Sequence, residues 1–357
     1  MPTFATGTVE AVLDERPGLQ TLEVRSDAGL RRAVLYTRYA AAARPGDRVV
    51  LNTTATDLGL GSGGEDFVVW NLAHGSYDSS ADGHVMKLRY TPLQTEVLTV
   101  EAPESPHHEV MSGANSLDGT PVLAASLHSQ LLPVVLGLRM RRPDARVAYV
   151  MTDGGALDAS LSTTVRRLRD LGWLETVITV GHAVGGDLEA VNVYSGLIAS
   201  RAVVGADVTI VGMGPGVVGT ATPFGTTALE LGMAVNAAGS LGGHPIAVVR
   251  MSSGDARDRH AGVSHHASTA LLRVALTRAD VPVPRGTVDG LEEIGMLHRV
   301  VEVDAEPVLV ELEAARAEGL EASHMGRGPE GDRLFFLAAG AAGIHAGDIL
   351  DGGAKDA

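Results

Sequence analysis

The densest concentration of residues able to do chemistry lies between Ser252 and His266. These fifteen residues contain three of the chain's thirteen histidines, two arginines and two aspartates. Because neutral imidazole binds zinc, manganese and iron, His260, His265 and His266 can form a divalent-metal site, with Asp255 as an oxygen ligand. Their spacing differs from the His-x-x-x-His pattern of a helical zinc site, so the sequence does not select a metal.

The same segment also suits an anionic ligand. Arg257 and Arg259 carry guanidinium groups that pair with phosphate or carboxylate, and Ser264 stands where a predicted helix begins and its first amides are free. A structural alternative stays open, in which Ser264 caps the helix, arginine and aspartate pair at the surface and the histidines are solvated. The sequence therefore leaves three readings of this segment: an anion site, a metal site or a structural turn.

A glycine-rich loop, Gly214 to Gly219, directly follows a predicted strand. Its glycine spacing matches a dinucleotide-binding fingerprint, but Pro223 interrupts the helix that should follow, and the next strand does not end in an acidic residue. We weigh a tight turn without ligand first, an anion site second and nicotinamide binding last. The predicted anion-binding residues of the loop are Gly214, Gly216, Gly219 and Thr220.

Two more candidates follow predicted strands. Asp153 precedes two glycines, where its carboxylate can act as a base, bind a metal or stabilise the loop. His182 ends the next strand, where an imidazole can transfer protons, and Asp187 is interpreted as the cap of the following helix. Open α/β sheets bind ligands at the carboxyl ends of their strands, so these residues are expected to share one crevice with the histidine segment. The predicted catalytic residues are Asp153, His182, His260 and His265.

Such a crevice requires a fold that brings several loops to one edge. After Gly119 the sequence alternates continuous apolar runs with helical segments, which predicts an α/β fold with a Rossmann-like, mostly parallel sheet. The predicted strands are Pro121–Leu127, Arg146–Thr152, Thr176–Gly181, Val208–Met213, Pro245–Met251, Leu297–Val303 and Leu334–Ala339. The predicted helices are Gln130–Met140, Leu157–Leu171, Leu188–Val204, Thr226–Ala238, His265–Ala279 and Pro307–Glu318. The loop Ser323 to Pro329 is expected to be a surface connection or a lid over the crevice.

The first hundred residues follow a different pattern. Seven short β-rich runs separated by turns predict a small N-terminal β-barrel or β-sandwich. The runs are Thr8–Leu13, Leu19–Val24, Arg32–Tyr36, Arg48–Leu51, Phe67–Asn71, Val85–Tyr90 and Glu96–Val100. The predicted domains are therefore a β-rich domain at 1–104, a Rossmann-like domain at 105–350 and a disordered tail at 351–357.

The composition excludes several kinds of chemistry. The 357 residues include no cysteine, which excludes thiol nucleophiles, thiolate metal sites, iron–sulfur clusters and disulfides. Lys87 and Lys355 are the only lysines, so a Walker lysine or a pyridoxal Schiff base has almost no candidate. The net charge of −15 disfavours nucleic-acid and anionic-membrane partners, so a small anionic molecule is the expected ligand.

Two segments bear on location. The residues from Met1 to Gly18 lack a basic segment followed by an apolar run, so no secretory signal is expected and a cytoplasmic location is predicted. The uncharged stretch Val208 to Leu229 contains glycines, threonines and prolines, so it is interpreted as a buried strand and a loop, not as a membrane span. Assembly into a homo-oligomer stays open.

Four features together resemble an uncharacterised bacterial family of unknown function that is common in actinobacteria and related Gram-positive groups. They are the β-rich front end, the Gly-Ser-Gly-Gly loop at 61–64, the Gly-Met-Gly-Pro-Gly-Val-Val-Gly loop at 212–219 and the Arg-His-Ala-Gly-Val-Ser-His-His segment at 259–266. The resemblance covers essentially the full length, and the last two motifs are its most specific parts. It implies no activity for this chain.

The leading hypothesis is an enzyme that acts on a small phosphorylated or carboxylated molecule. The glycine loop, Arg257 and Arg259 would hold the anion, and the histidines would act as acid, base or ligands of a divalent metal. Two alternatives remain: a non-catalytic metabolite-binding or sensing protein, and a nicotinamide-dependent oxidoreductase. Reaction type and substrate stay open.

Overall fold

The structure, a computed structural model, describes residues 1–61, 63–79 and 83–353. Contacts divide the chain into two units, Met1–Leu98 and Thr99–Ala357. Ser62 of the predicted loop 61–64 and residues 354–357 of the predicted tail lie outside the described residues. The domain limits 1–104 and 105–350 remain predictions.

The first unit contains a closed five-stranded barrel. Its elements are β1 Phe4–Arg16, β2 Leu19–Ser26, β3 Gly29–Tyr36, β4 Arg48–Asn52, α1 Thr54–Asp57, β5 Asp66–Asn71, β6 Val85–Lys87 and β7 Thr95–Val97. The barrel order is β1-β2-β3-β5-β4, and its neighbours run antiparallel except for β3 and β5, whereas β6 and β7 pair separately. Side chains alternate between the two faces of a strand, so Val49 and Leu51 of β4 enter the barrel core. The predicted β-barrel is confirmed.

The second unit is built from a sheet of parallel strands and its connecting helices. The strands are β8 Pro121–Ala125, β9 Val147–Thr152, β10 Thr176–Val180, β11 Leu188–Ala190, β12 Val208–Met213, β13 His244–Val248, β14 Met251–Ser252, β15 Gly262–Val263, β16 Asp280–Pro284 and β17 Arg299–Val303. The helices are α2 His108–Gly113, α3 Leu131–Arg141, α4 Thr163–Asp170, α5 Val193–Ala202, α6 Glu230–Ser240, α7 His265–Thr269, α8 Glu292–Leu297, α9 Val308–Ala317 and α10 Arg333–Gly353.

Eight strands form the main sheet, in the order β11-β10-β9-β12-β8-β13-β16-β17, and every pairing in it is parallel. From β8 the chain adds β9, β10 and β11 toward one edge of the sheet and then returns to place β12 between β9 and β8. It next crosses to β13, on the other side of β8. This reversal is a topological switch point, where open α/β sheets bind ligands at the carboxyl ends of the strands. The predicted α/β fold with a parallel sheet is confirmed.

Continuous apolar runs form these strands because both faces of the sheet are covered. Along β8, Val122 and Ala124 pack into the core under α5, α6 and α7, whereas Leu123 and Ala125 pack into the core under α3, α9 and α10. A strand buried on both faces loses the polar–apolar alternation seen in the barrel. The glycine loop after β12 and the histidine segment after β13 therefore emerge on either side of β8.

The last predicted strand, Leu334–Ala339, is wrong, because these residues begin α10. The run Leu-Phe-Phe-Leu has the composition of a buried strand, but the small residues after it repeat at helical spacing. Gly343 and Gly347 form a stripe that lets α10 approach α3 closely, and a Cβ on Gly343 would lie 2.0 Å from the carbonyl oxygen of Val134, whereas Gly340 lies against Val308 of α9. The helix is long because it packs along the core under the sheet.

Two further helix predictions need correction. The predicted helix Leu188–Val204 begins with the short strand β11, and Asn192, not Asp187, caps α5. Asp187 instead accepts a hydrogen bond from the amide of Val177 and pairs with Arg169. The predicted helix His265–Ala279 ends at Val274 after a π-helical turn, and the strand β16 that follows was not predicted. The two prolines of β16 explain why the sequence does not predict this strand, because proline is uncommon in sheet interiors.

Helix α10 is long and apolar enough to cross a membrane by length and composition alone. Within its most apolar window, 72% is buried inside the protein, against α3 and the sheet. This burial is that of a core helix. The stretch Val208 to Leu229 forms β12 and the loop after it, as predicted.

We expect Gly343→Ala to destabilise the protein by about 1–3 kcal/mol, because overpacking against the α3 backbone outweighs the better helix propensity of alanine. Gly352→Ala is the matched control on the same helix, since nothing lies within 4 Å of its added Cβ. Urea unfolding followed by circular dichroism measures both variants. Equal stabilities of the two variants would show that the glycine stripe is not required.

Candidate functional site

Three histidine rings meet beyond the carboxyl end of β13. The ring centroids of His265 and His266 are 4.1 Å apart, and His260 lies 5.1 and 5.0 Å from them. One nitrogen of each ring lies within 4.8 Å of a nitrogen of each other ring. Nitrogens bound to one zinc ion at about 2.0–2.1 Å stand about 3.4 Å apart, so small side-chain rotations would bring the three rings onto one ion.

Local structure fixes the orientation of these rings. The strands β14 and β15 pair antiparallel and close the loop that carries His260. The Ser264 hydroxyl accepts a hydrogen bond from the amide of His266, which caps α7, and it also lies 2.8 Å from Nδ1 of His260. Because Nδ1 is held in this way, Nε2 is the nitrogen of His260 that is available to a ligand.

The surroundings favour the neutral form of all three rings. Burial, together with nearby positive charge, lowers the pKa of His260 to about 3 and that of His266 to about 4. Burial and the charge of Arg259 also lower the pKa of His265. Within the described chain, the buried Nε2 atoms of His265 and His266 make no hydrogen bond. Neutral imidazoles with unpaired buried nitrogens are the form that binds a metal, so the residues present fit such an ion.

The structure does not bring Asp255 into this cluster. Its Oδ2 accepts hydrogen bonds from Arg250 and Arg257 at 2.8 and 2.7 Å, and its Oδ1 accepts from the amide and Nε of Arg257. Arg327 lies 3.6 Å from the same Oδ2, and the Asp255 side chain is 2% exposed. The hydrogen bonds from Arg257 hold the pKa of this carboxyl well below its usual range. A carboxylate so fully used by arginines organises them and is not a fourth metal ligand.

The three predicted anion-binding residues of the histidine segment have different roles. The Nε and NH2 groups of Arg257 bind Asp255, and the Ser264 hydroxyl serves the helix cap and His260. Arg259 is exposed beside the histidines. Of these three, Arg259 is the residue best placed to meet an incoming anion.

The glycine loop lies between the histidine cluster and the loop that follows β9. A Cβ on Gly219 would lie 2.7 Å from Cε1 of His266, and a Cβ on Gly155 would lie 2.3 Å from the carbonyl oxygen of Gly214. Gly216 has φ +112°, in the region that favours glycine. These glycines are therefore required for close backbone approach on both sides of the loop.

The same loop bonds largely to itself. The amides of Val218 and Thr220 donate to the Thr227 hydroxyl and the Gly225 carbonyl, and the Thr220 hydroxyl also donates to Gly225. Thr226 connects the loop to the cluster, because its hydroxyl lies 3.4 Å from Nδ1 of His266. This arrangement favours the tight-turn reading over anion binding by Gly214, Gly216, Gly219 and Thr220.

The other predicted catalytic pair lies on the far side of the glycine loop. Asp153 is exposed, and its Oδ2 accepts a hydrogen bond from the amide of His182 at 2.9 Å. Beside it, the Glu230 carboxyl at the start of α6 accepts a hydrogen bond from the Thr152 hydroxyl. Burial and the charge of Asp153 raise the pKa of Glu230. The four predicted catalytic residues thus form two separate pairs. Asp153 lies with His182, and His260 lies with His265.

A buried network supports the strand ends behind these residues. The Nε2 atom of His128 lies 2.7 Å from the Ser162 hydroxyl, and its Nδ1 lies 3.4 Å from the Tyr149 hydroxyl. Tyr149 donates to the carbonyl of Met213 at the end of β12. Burial lowers the pKa of His128 to about 4 and raises that of Tyr149. The network is enclosed and structural.

Sequence reasoning missed several residues of this region. Arg250 lies at the end of the predicted strand Pro245–Met251, and Glu230 lies inside the predicted helix Thr226–Ala238. Neither position indicates a role in a site. The loop Ser323 to Pro329 is more than a surface connection, because His324 is 3% exposed and Arg327 lies 3.6 Å from Asp255. The sequence contains one signal for this loop: His324 and Arg327 stand among glycines, and loops often carry functional side chains.

A second histidine group lies at the amino end of the sheet. Nε2 of His244 and Nε2 of His345 each lie 2.8 Å from Oδ2 of Asp280, with ligand atoms close enough for a metal. Arg299, however, donates to both oxygens of the same carboxylate at 2.7 and 2.6 Å. The Arg299 guanidinium already supplies the positive charge, so this group needs no metal and instead ties α10 to the strands β13, β16 and β17 of the sheet.

We expect Asp280→Asn to lower the free energy of unfolding by about 2 kcal/mol at pH 7, because the buried His345, the partly exposed His244 and the exposed Arg299 all lose a charged acceptor. The hydrogen bonds from His244, His345 and Arg299 hold the pKa of Asp280 far below its usual range. A depressed pKa contributes stability above the unfolded-state pKa of about 4 and loses it as the pH falls. Urea unfolding between pH 7 and pH 3 should therefore show the gap between variant and wild type narrowing, and a constant gap would contradict the assignment.

Comparison with known proteins identifies a family. A family model with the description "protein of unknown function (DUF3866)" matches residues 32–343. No curated protein matches the sequence. Among solved structures, the crystal structure of YjeQ from Thermotoga maritima matches at 10% identity over 64% of this chain and 65% of that chain, with a TM-score of 0.13. The chain spans just under two thirds of the length of that structure, and so low a score carries no argument about function.

Proposed function

The chain belongs to the DUF3866 family of proteins of unknown function, and we propose from its own residues that it is a metal-dependent enzyme acting on a small anionic molecule. The observation that carries the proposal is the meeting of His260, His265 and His266, whose nitrogens face one another. Buried polar atoms are almost always paired in native proteins, so the unpaired nitrogens of His265 and His266 favour a bound ion.

Three protein ligands are the number found in catalytic zinc sites, where a fourth position stays open. A divalent metal held by these three histidines would supply an activated water as a nucleophile at neutral pH. His265 is the half-buried member of the cluster, so the open position is expected on its side. Arg259 is exposed beside the same ring, where it can orient an anionic group toward the site.

Charge supports an anionic substrate. A divalent cation here would stand close to Arg250, Arg257 and Arg259, whose charges already lower the pKa values of the histidines. Like charges in a partly buried site repel, so an anion that contacts both the metal and the arginines would stabilise the assembly. The position on the edge of the sheet beside the topological switch point supports the same conclusion.

The first experiment measures metal content and affinity. We expect the purified protein to bind one equivalent of Zn²⁺ or Mn²⁺ by elemental analysis and calorimetry, and His265→Ala to lose it. His244→Ala is the matched control, because it alters the histidine group at the amino end of the sheet and should retain the metal. Metal that is lost in His244→Ala and kept in His265→Ala would overturn the proposed site.

A second measurement separates an enzyme from a binding protein. With zinc bound, the protein is expected to hydrolyse 4-nitrophenyl phosphate, an anionic ester, in preference to the neutral 4-nitrophenyl acetate, and a chelator should stop the reaction. If the metal binds but neither ester is cleaved above the rate of free zinc, the non-catalytic alternative is favoured. Cleavage of the acetate alone would contradict an anionic substrate.

A further inference from the structure

Beside the histidine cluster, three buried donor atoms make no hydrogen bond within the described chain. They are Nε of Arg250, Nε of Arg327 and Nε2 of His324. Arg250 is 5% exposed and His324 is 3% exposed. Leaving one buried donor unpaired costs about 1–3 kcal/mol, so three in one region indicate a missing acceptor.

One tautomer of His324 presents Nε2 as a donor. Its Nδ1 lies 3.1 Å from the Ser129 hydroxyl, and its ring stacks on Phe335 at a centroid distance of 3.9 Å and an angle of 5°. Burial lowers the pKa of His324 to about 4, so the ring is neutral at pH 7. When the Ser129 hydroxyl donates to Nδ1, the single ring proton is on Nε2, the unpaired atom.

The two arginines share one carboxylate. The NH2 groups of Arg250 and Arg327 lie 2.8 and 3.6 Å from the same oxygen of Asp255. Met325 contacts Arg250, with its sulfur 3.8 Å from the NH2 group. A tight turn at Met325 and Gly326, both at positive φ, brings His324 and Arg327 together through paired backbone hydrogen bonds. The donors therefore stand on short, well-packed segments.

The charges of this cluster do not balance. Arg250, Arg257 and Arg327 surround two carboxylates, Asp255 and Asp332. Three positive charges against two negative charges leave one in excess, and Arg259 beside the histidines adds another. Burial and the neighbouring arginines lower the pKa of Arg250 to about 10, as expected for a crowded guanidinium. A dianion would offset this excess.

The cluster is joined to the histidine site by the backbone. The amide of Ser264 donates to the carbonyl of Arg250 at 2.9 Å, and Ser264 directly precedes His265. Arg250 also acts electrostatically on His260, His265 and His266. An anion bound by Arg250 would therefore lie next to the proposed metal ion.

We propose that Arg250, Arg327 and His324 form a subsite for the phosphoryl group of the substrate, next to the three-histidine centre. A tetrahedral dianion fits these donors better than a carboxylate, because they come from three separate side chains and leave two positive charges to neutralise. Asp255 and Asp332 are positioning residues that hold the guanidinium groups. The reaction of the bound phosphoryl group rests on the proposed function, whereas the binding of that group does not.

The test measures the binding of inorganic phosphate to metal-free protein, so that its outcome does not depend on the metal site. We expect about one equivalent by calorimetry, and a loss of affinity of at least about tenfold in His324→Gln and in Arg327→Gln. Arg146→Gln, an exposed arginine at the amino end of β9, is the control for net charge and should bind as the wild type does. Thermal unfolding confirms that each variant is folded.

Other outcomes overturn the subsite. If metal-free wild type does not bind phosphate at millimolar concentration, or if both variants bind it as tightly as the wild type, the assignment is wrong. Phosphate binding that is lost only in Arg259→Gln would instead place the anion at the exposed rim of the cluster. None of these results decides the metal site, which zinc stoichiometry tests separately.

Discussion

Replacing His266 with alanine is expected to lower the affinity for Zn²⁺ by at least about a hundredfold. Loss of partners that only orient metal ligands already costs about 10–100-fold in affinity, and His266 is expected to bind the metal directly. His266 is 6% exposed, and its Nε2 is buried without a hydrogen bond within the described chain, so this nitrogen is free to bind the ion directly. Competition with a chromophoric zinc chelator measures the change.

The control for this prediction is His74→Ala, which removes an exposed histidine from the barrel unit. It should leave the zinc affinity unchanged and so exclude a general effect of histidine number. Circular dichroism without metal should show that His266→Ala is folded, although the lost contact of Nδ1 with the Thr226 hydroxyl and the cavity left by the ring are expected to lower its thermal stability. Unchanged zinc affinity in His266→Ala would show that the three rings do not share one ion.

The second large effect is expected for Asp255→Asn, which should lower the free energy of unfolding by about 4 kcal/mol. The substitution keeps the size of the side chain but leaves Arg250, 5% exposed, without its charged partner. Breaking a buried ion pair by removing one partner costs about 3–5 kcal/mol. The loss should exceed that of any exposed aspartate, because Arg257 and Arg327 are also displaced.

Asp258→Asn is the matched control, since Asp258 lies three residues away in the same segment and is exposed. A surface substitution of this kind changes stability by about 0.5 kcal/mol or less. Urea unfolding of both variants at pH 7 measures the difference. Similar values for the two variants would mean that Asp255 does not organise the arginines.

Much of the fold could be predicted because hydrophobic periodicity is a local signal. The alternation of β4 and the continuous apolar runs of β8, β9 and β12 follow from how many faces of a strand are buried. The errors arise where tertiary packing overrides local composition. Leu334–Ala339 has the composition of a strand but forms a helix, because the glycines that follow allow close packing on α3.

The part of the site that lies within one short segment could also be predicted, because that signal is local too. Sequence proximity identified the histidines at 260, 265 and 266, and the structure places their rings together. It could not show that the Asp255 carboxylate is saturated by arginines, because Arg327 is about seventy residues away in the sequence. Arg250 and His324 were missed for the same reason, since their roles depend on burial and on partners from distant loops.

Zinc X-ray absorption spectroscopy of the zinc-loaded wild-type protein tests the central claim most directly. The three-histidine centre predicts three imidazole nitrogens at about 2.0–2.1 Å and one further light-atom ligand. The imidazole scattering should fall in His265→Ala and stay unchanged in His244→Ala. A spectrum with fewer than three imidazoles in the wild type, or one that His265→Ala does not alter, would contradict the account.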